Sequence, residues 1–141
     1  MSRGGVGGGG QYADTTGGVG RMDLLAEYRR ATRCFEAGDP SEAARLLEPI
    51  LAAEPGNTAV RQLLARSYFS SAQLSRAEEQ LRELVDRDPS DHYAHHVLGR
   101  TLERLNRPVD ALRHLRIAAA MHHGNADYQA ALRRVQARVG R

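Results

Sequence analysis

TAVRQLLARSYFSSAQLSRAEEQLRELVDRDPSD, residues 58–91, is the stretch on which the fold turns. It holds two apolar runs at helical spacing, a short turn between them and a proline near its end. Leu63, Leu64 and Tyr68 share one face of the first run, around the small Ala65. Ala77, Leu81, Leu84 and Val85 share one face of the second. A shift of 34 residues either way brings much of the pattern back. Ala43, Ala77 and Ala111 keep that interval, as do Leu47, Leu81 and Leu115. So do Leu64, Leu98 and Leu132, and Pro55 with Pro89. Four registers at one period mean stacked supersecondary units, each burying its face against its neighbours.

The unit resembles the tetratricopeptide repeat, whose pattern is W-x2-L-G-x2-Y, then A-x3-F, then P. Residues 58–91 carry Arg61, Leu64-Ala65 and Tyr68, then Ala77, Leu81 and Pro89. The following unit has His95, Leu98-Gly99 and Leu102, then Ala111 and Leu115, with His123 where the proline would stand. The preceding unit, the most divergent, has Glu27, Arg30-Ala31 and Cys34, then Ala43, Leu47 and Pro55. Tryptophan is absent throughout. The resemblance implies an all-α, right-handed α-solenoid: three helix–turn–helix repeats at about 24–57, 58–91 and 92–125, plus a capping helix at about 126–139. The domain would then be residues 22–141.

Composition sets further bounds. A chain of 141 residues is one domain at most. The formal charge of +3 is small but unevenly spread. Residues 22–91 hold nine Arg against thirteen Asp and Glu, and residues 92–141 nine Arg against three. All 20 basic residues are Arg, a bias that suggests GC-rich codons and a bacterial source. A lone cysteine, Cys34, leaves no intramolecular disulfide and fits a reducing compartment; it is expected as a small buried hydrophobe. No apolar run reaches the ~20 residues of a membrane span, and the N-terminus has no signal-peptide core. A cytoplasmic location is the expectation.

Residues 1–21, MSRGGVGGGGQYADTTGGVGR, carry nine glycines. Glycine loses the most backbone entropy on ordering, and nothing here would repay that loss. A disordered tail is expected. Other readings stand beside it: a tether, an RNA-brushing tail with Arg3, Tyr12 and Arg21, and a true start at Met22.

Beyond the tail, punctuation marks the helices. Gly38 ends the first, and Asp39-Pro40-Ser41-Glu42 opens the second with a cap, a first-turn proline and a box-like glutamate. Asn57 caps the third, and Ser75-Arg76-Ala77-Glu78 reads as a capping box for the fourth. Asp88-Pro89-Ser90-Asp91 and Gly124-Asn125 divide the rest.

In the family the first helices of successive repeats line a concave groove. The resemblance places Leu25, Tyr28, Thr32 and Phe35 there, then Gln62, Arg66 and Phe69. His96, Arg100, Glu103 and Arg104 follow, and finally Arg134. Arg66, Arg100 and Arg134 are 34 apart and form a ladder, with Tyr28, Phe35 and Phe69 an aromatic lining. Arginine grips carboxylates bidentately and aromatics serve as anchors, so the expected partner is an acidic protein segment. The bland alternative is a solvated basic face, with Glu103 paired to Arg100 or Arg104. The carboxylate-clamp subset of the family needs Lys, Asn and Arg where this chain has Tyr28, Thr32, Leu63, Tyr93 and Val97. No binding of chaperone C-termini is expected.

Other chemistry is thin. The six histidines cluster in residues 92–123, and His92 and His96 are one turn apart, but no carboxylate or Cys completes a metal set. They are expected to add positive charge near pH 6. No nucleophile motif or phosphate-binding loop is present, so no enzyme and no cofactor are expected. Nucleic-acid binding through Arg113, Arg116, Arg133, Arg134, Arg138 and Arg141 is the rival class. A third reading is salt-dependent head-to-tail self-assembly of the acidic half on the basic half.

Overall fold

A computed structural model describes residues 21–140. Residues 1–20 of the expected tail, and Arg141, lie outside that range. Seven helices follow: α1 (Arg21–Glu36), α2 (Pro40–Ala53), α3 (Thr58–Ser70), α4 (Leu74–Arg87), α5 (His92–Arg104), α6 (Pro108–Met121) and α7 (Ala126–Val139). Each packs on the next, and no strand occurs among the described residues. This is an all-α solenoid of helical repeats. None of these helices is long and apolar enough to cross a membrane.

The 34-residue period governs every joint. Asn57, Asp91 and Asn125 cap α3, α5 and α7, each side chain accepting from the amide three residues on, at 3.2, 3.0 and 3.0 Å. Such a cap satisfies one of the four free amides at a helix start. The turns inside the repeats place Gly38, Ala72 and Asn106 at positive φ (86, 62 and 63°). That conformation crowds a Cβ, and Ala72 has no polar side chain to offset the crowding. Ala72→Gly should therefore stabilise the protein by about 0.5–1 kcal/mol, read from the urea midpoint; an unchanged or lower midpoint would contradict it.

Two capping expectations fail. Ser75 does not cap α4, because the helix begins a residue earlier, at Leu74. The N-cap is Gln73, whose side chain makes no cap bond; it bridges Ser71 and Arg76 instead, at 2.9 Å each. The cause is Ala72: its left-handed turn, locked by the Gln73 amide on Tyr68 O at 2.8 Å, fixes where α4 starts. Similarly, Asp39 caps α2, but Glu42 turns away from the cap to Arg45.

The main core is a seam rich in Leu and Ala, with a second small cluster of Ala118, Ala119 and Tyr128. Ala43, Ala77 and Ala111 are fully buried where helices cross, beside Leu47, Leu81 and Leu115. Leu64 and Leu98 are buried, whereas their counterpart Leu132 is only half-buried. Leu64 and Leu98 each have a second helix of their own repeat to pack against; α7 lies only against α5 and α6. Cys34 is a free thiol, half-buried at the edge of the core.

Candidate functional site

A cavity of about 470 Å³ opens along α1, α3, α5 and α7. Its wall is one stripe from each helix. Phe35 comes from α1, Arg66 and Phe69 from α3, Tyr93, His96 and Arg100 from α5, and Asp127, Ala130 and Arg134 from α7. Residues at i, i+3, i+7 and i+10 share a helical face, so the stripes align as the repeats stack.

The arginines are posed by their neighbours. Arg66 lies between two rings, its guanidinium carbon 4.8 Å from the centre of Phe35 and 6.0 Å from that of Tyr93. Arg100 and Arg104 both approach Phe69, at 5.1 and 5.0 Å. Arg134 instead forks onto Glu103 with two bonds of 2.7 Å. A single rule underlies this: Arg66, Arg100 and Arg134 each rest on the residue 31 places earlier, which is Phe35, Phe69 and then Glu103. A ring against a guanidinium holds it by cation–π attraction, worth about 0.5–1 kcal/mol, while leaving its N–H edge free. Glu103 neutralises the third rung. The Arg134 bonds hold the Glu103 carboxyl below its usual range, and Glu103 raises Arg134 in turn.

Within the stripe, His96 stacks on Tyr128 with ring centres 4.5 Å apart. Its Nδ1 is buried without a hydrogen-bond partner among the described residues. Burial, and then the nearby Arg100 charge, push its pKa down to about 4. The expectation that the histidines charge near pH 6 thus fails at His96, and equally at His114, which burial also lowers to about 4. His92 Nδ1 meets the Tyr128 hydroxyl at 2.9 Å.

The remaining groove candidates scatter. Tyr28 packs half-buried against the core, and Thr32 donates to Tyr28 O at 3.0 Å; neither lines the cavity. Gln62 borders a smaller cleft of about 160 Å³ with Arg66, Leu81 and Tyr93. Arg104 lies in a third opening, of about 360 Å³, beside Arg100. Glu103 pairs with Arg134 and not with its own helix neighbours. Tyr93 and Asp127, which the groove assignment left out, share one repeat position with Ala59. The small Ala59 hid that position; its 34-residue phase would have exposed it.

This geometry has relatives. A profile described as tetratricopeptide repeat matches residues 35–100. A curated relative, the TPR repeat-containing thioredoxin TTL4 of Arabidopsis thaliana, is 30% identical over 129 residues, 91% of this chain and 18% of that protein. Residues 35–100 carry the tetratricopeptide repeat, and the solenoid has the fold of that family. Among solved TPR structures, the first TPR of Spaghetti (RPAP3), bound to the HSP90 peptide SRMEEVD, superposes with a TM-score of 0.78 at 19% identity. It covers 87% of this chain and 98% of its own. A MamA RS-1 ArsTM double mutant superposes at 0.81 and 16% identity, over 86% and 68%. At such identities these likenesses concern the TPR fold alone, and the chain spans under a fifth of the thioredoxin's length.

Proposed function

We propose that this TPR protein is a non-catalytic adaptor that holds an acidic protein segment in its groove. The observation that carries the reading is the pose of Arg66 and Arg100. Both sit on aromatic faces in one cavity, and neither has a carboxylate partner among the described residues. A guanidinium fixed in this way has lost much of its rotamer freedom before a ligand arrives, so the ordering cost of binding falls mainly on the peptide. Carboxylates would take the free N–H edges, and apolar side chains would meet Phe35, Phe69 and Tyr93.

Affinity purification with the wild type beside an Arg66→Gln/Arg100→Gln variant tests this. A protein retained by the wild type should be lost by the variant, with affinity reduced at least about tenfold. Equal retention by both would sink the reading. The EEVD-ended peptide held by the Spaghetti neighbour is not the expected ligand here. The positions that would grip it carry Leu63 and Val97, both buried, and Thr32, whose hydroxyl is bonded to Tyr28 O. That peptide should bind no better than a scrambled one in fluorescence polarisation.

A further inference from the structure

Arg100, Glu103, Arg104, Arg134 and Arg138 alone line an opening of about 360 Å³ at the α7 end of the groove. Four guanidiniums thus surround one carboxylate. Guanidinium stays charged at any physiological pH, so the opening keeps a net charge of three positive units beyond Glu103. Like charges gathered this closely repel one another, which makes the cluster a focus of positive potential.

Most of the donors are unused. Each guanidinium offers five N–H groups. Arg134 commits two to Glu103, at 2.7 Å each. Arg138 commits one to Glu103 O at 3.2 Å and another to Asn106 Oδ1. Arg104 commits one to Phe69 O at 3.3 Å, while Arg100 makes no hydrogen bond among the described residues and rests on the Phe69 ring. Those held contacts fix where the heads sit; all four side chains line the opening, which is exposed at Arg100, Arg104 and Arg138.

We propose that these four arginines form a binding site for a phosphoryl group, with Glu103 as its built-in competitor. A single carboxylate would leave a net charge of two in the opening, whereas a phosphoryl dianion or a pyrophosphate brings that nearer balance. Tetrahedral phosphate oxygens also accept several forks at once, the geometry for which arginine is suited. The phosphoryl group can be free or carried on a peptide. Arg100 and Arg134 line both this opening and the main cavity, so a phosphorylated residue would extend a segment already lying in the groove. That second source rests on the groove reading above; the site for a free phosphoryl group does not.

Calorimetric titration with sodium pyrophosphate, at constant ionic strength of about 0.15 M to fix screening, is the first arm. Wild type should bind, and Arg100→Gln/Arg104→Gln should weaken binding at least tenfold. Glu103→Gln should tighten it severalfold, because the competitor is gone and Arg134 is released. Circular dichroism confirms that each variant is folded. Heat no greater than that from sodium chloride of equal ionic strength would overturn the site. So would wild-type affinity in the double variant, or weaker binding by folded Glu103→Gln. The second arm compares acidic peptides with and without one phosphoserine. A phosphate-dependent gain that vanishes in Arg104→Gln assigns the site to peptide-borne phosphate; binding of pyrophosphate without that gain assigns it to the free anion. Unphosphorylated peptides that bind while pyrophosphate does not would remove the anion site and leave the adaptor reading standing. Pyrophosphate binding with no peptide binding would do the reverse.

Discussion

Lowering the pH from 7 to 4 should cost this protein on the order of 5 kcal/mol of folding stability. The source is two buried imidazoles. His96 and His114 are each about 6% exposed, and burial brings both to a pKa of about 4 from an ordinary 6.5. The unfolded chain therefore binds protons more tightly than the folded one. The stability of the neutral rings is fully present above pH 6.5 and is lost as the pH falls from there to about 4. A gap of that size corresponds to about 3 kcal/mol for each ring at its lower end. Facing groups point the same way. His96 meets Arg100 on its own helix and Arg134 from α7, opposed only by Asp127; His114 meets Arg113, His95 and Arg82, opposed only by Asp110. Below pH 4.5, Glu42, Glu83, Glu103 and Asp88 add to the loss, since each is held below its usual range by a bonded partner.

Hydrogen-bond geometry explains why His114 resists a proton. His95 Nε2 lies 2.9 Å from Pro89 O and must donate to it, so its Nδ1 is a bare acceptor. That atom is 3.1 Å from His114 Nδ1, which must then be the donor. His114 Nε2 is left bare, buried and without a partner among the described residues. A proton added there would be a buried donor with nothing to bond, which is costly. One period earlier the same bridge is built from Arg61, which donates to Gln80 and to Pro55 O. That version titrates at no ordinary pH. Urea unfolding at pH 7, 5.5 and 4.5 should show falling midpoints in the wild type. His95→Arg/His114→Gln, which copies the earlier bridge, should flatten about half of the slope. Parallel profiles for the two proteins would refute the account.

The His95–His114 bridge also shows what a sequence yields here. The period was readable because large and small apolar residues recur at fixed phase: Leu64 with Leu98, Ala43 with Ala77 and Ala111. Each such position answers to backbone geometry that repeats, so identity repeats with it. Polar bridges answer to geometry too, but several chemistries fill one slot. Arg61–Gln80 and His95–His114 occupy equivalent positions with no residue in common. The groove lay between these cases. Its arginine ladder was legible as phase, and the cavity does gather Arg66, Arg100 and Arg134. What phase could not tell was the state of each rung. Phe35 and Phe69 leave the edges of Arg66 and Arg100 open, whereas Glu103, in the same register, closes Arg134. Ser75 failed as a cap for a related reason: a left-handed turn at Ala72 is a backbone choice that alanine seldom signals.

Gly99→Ala should destabilise the protein by up to about 2 kcal/mol even though alanine is the better helix former, and Gly99→Val by about 4 kcal/mol. A Cβ built on Gly99 would stand 2.5 Å from Leu115 Cδ2, 2.6 Å from Leu115 Cγ and 3.3 Å from Ala111 O. Leu115 is fully buried, so it has no solvent to swing into, and the third contact is backbone. At the equivalent positions Ala31 and Ala65 the methyl groups are accommodated, fully buried. Against Gly99 the Leu115 side chain occupies the space that a methyl fills in the other two repeats. Helix propensity favours alanine over glycine by about 1 kcal/mol, and overpacking costs about 1–3 kcal/mol, so the clash wins. The sign should reverse once the obstruction is removed. Leu115→Ala alone should cost about 3 kcal/mol through the cavity it leaves. In that background Gly99→Ala should be stabilising, by up to about 1 kcal/mol, because only the propensity difference remains. Chemical denaturation of the four proteins in the cycle measures this directly. If Gly99→Ala destabilises equally in both backgrounds, close approach to Leu115 is not the reason for the glycine.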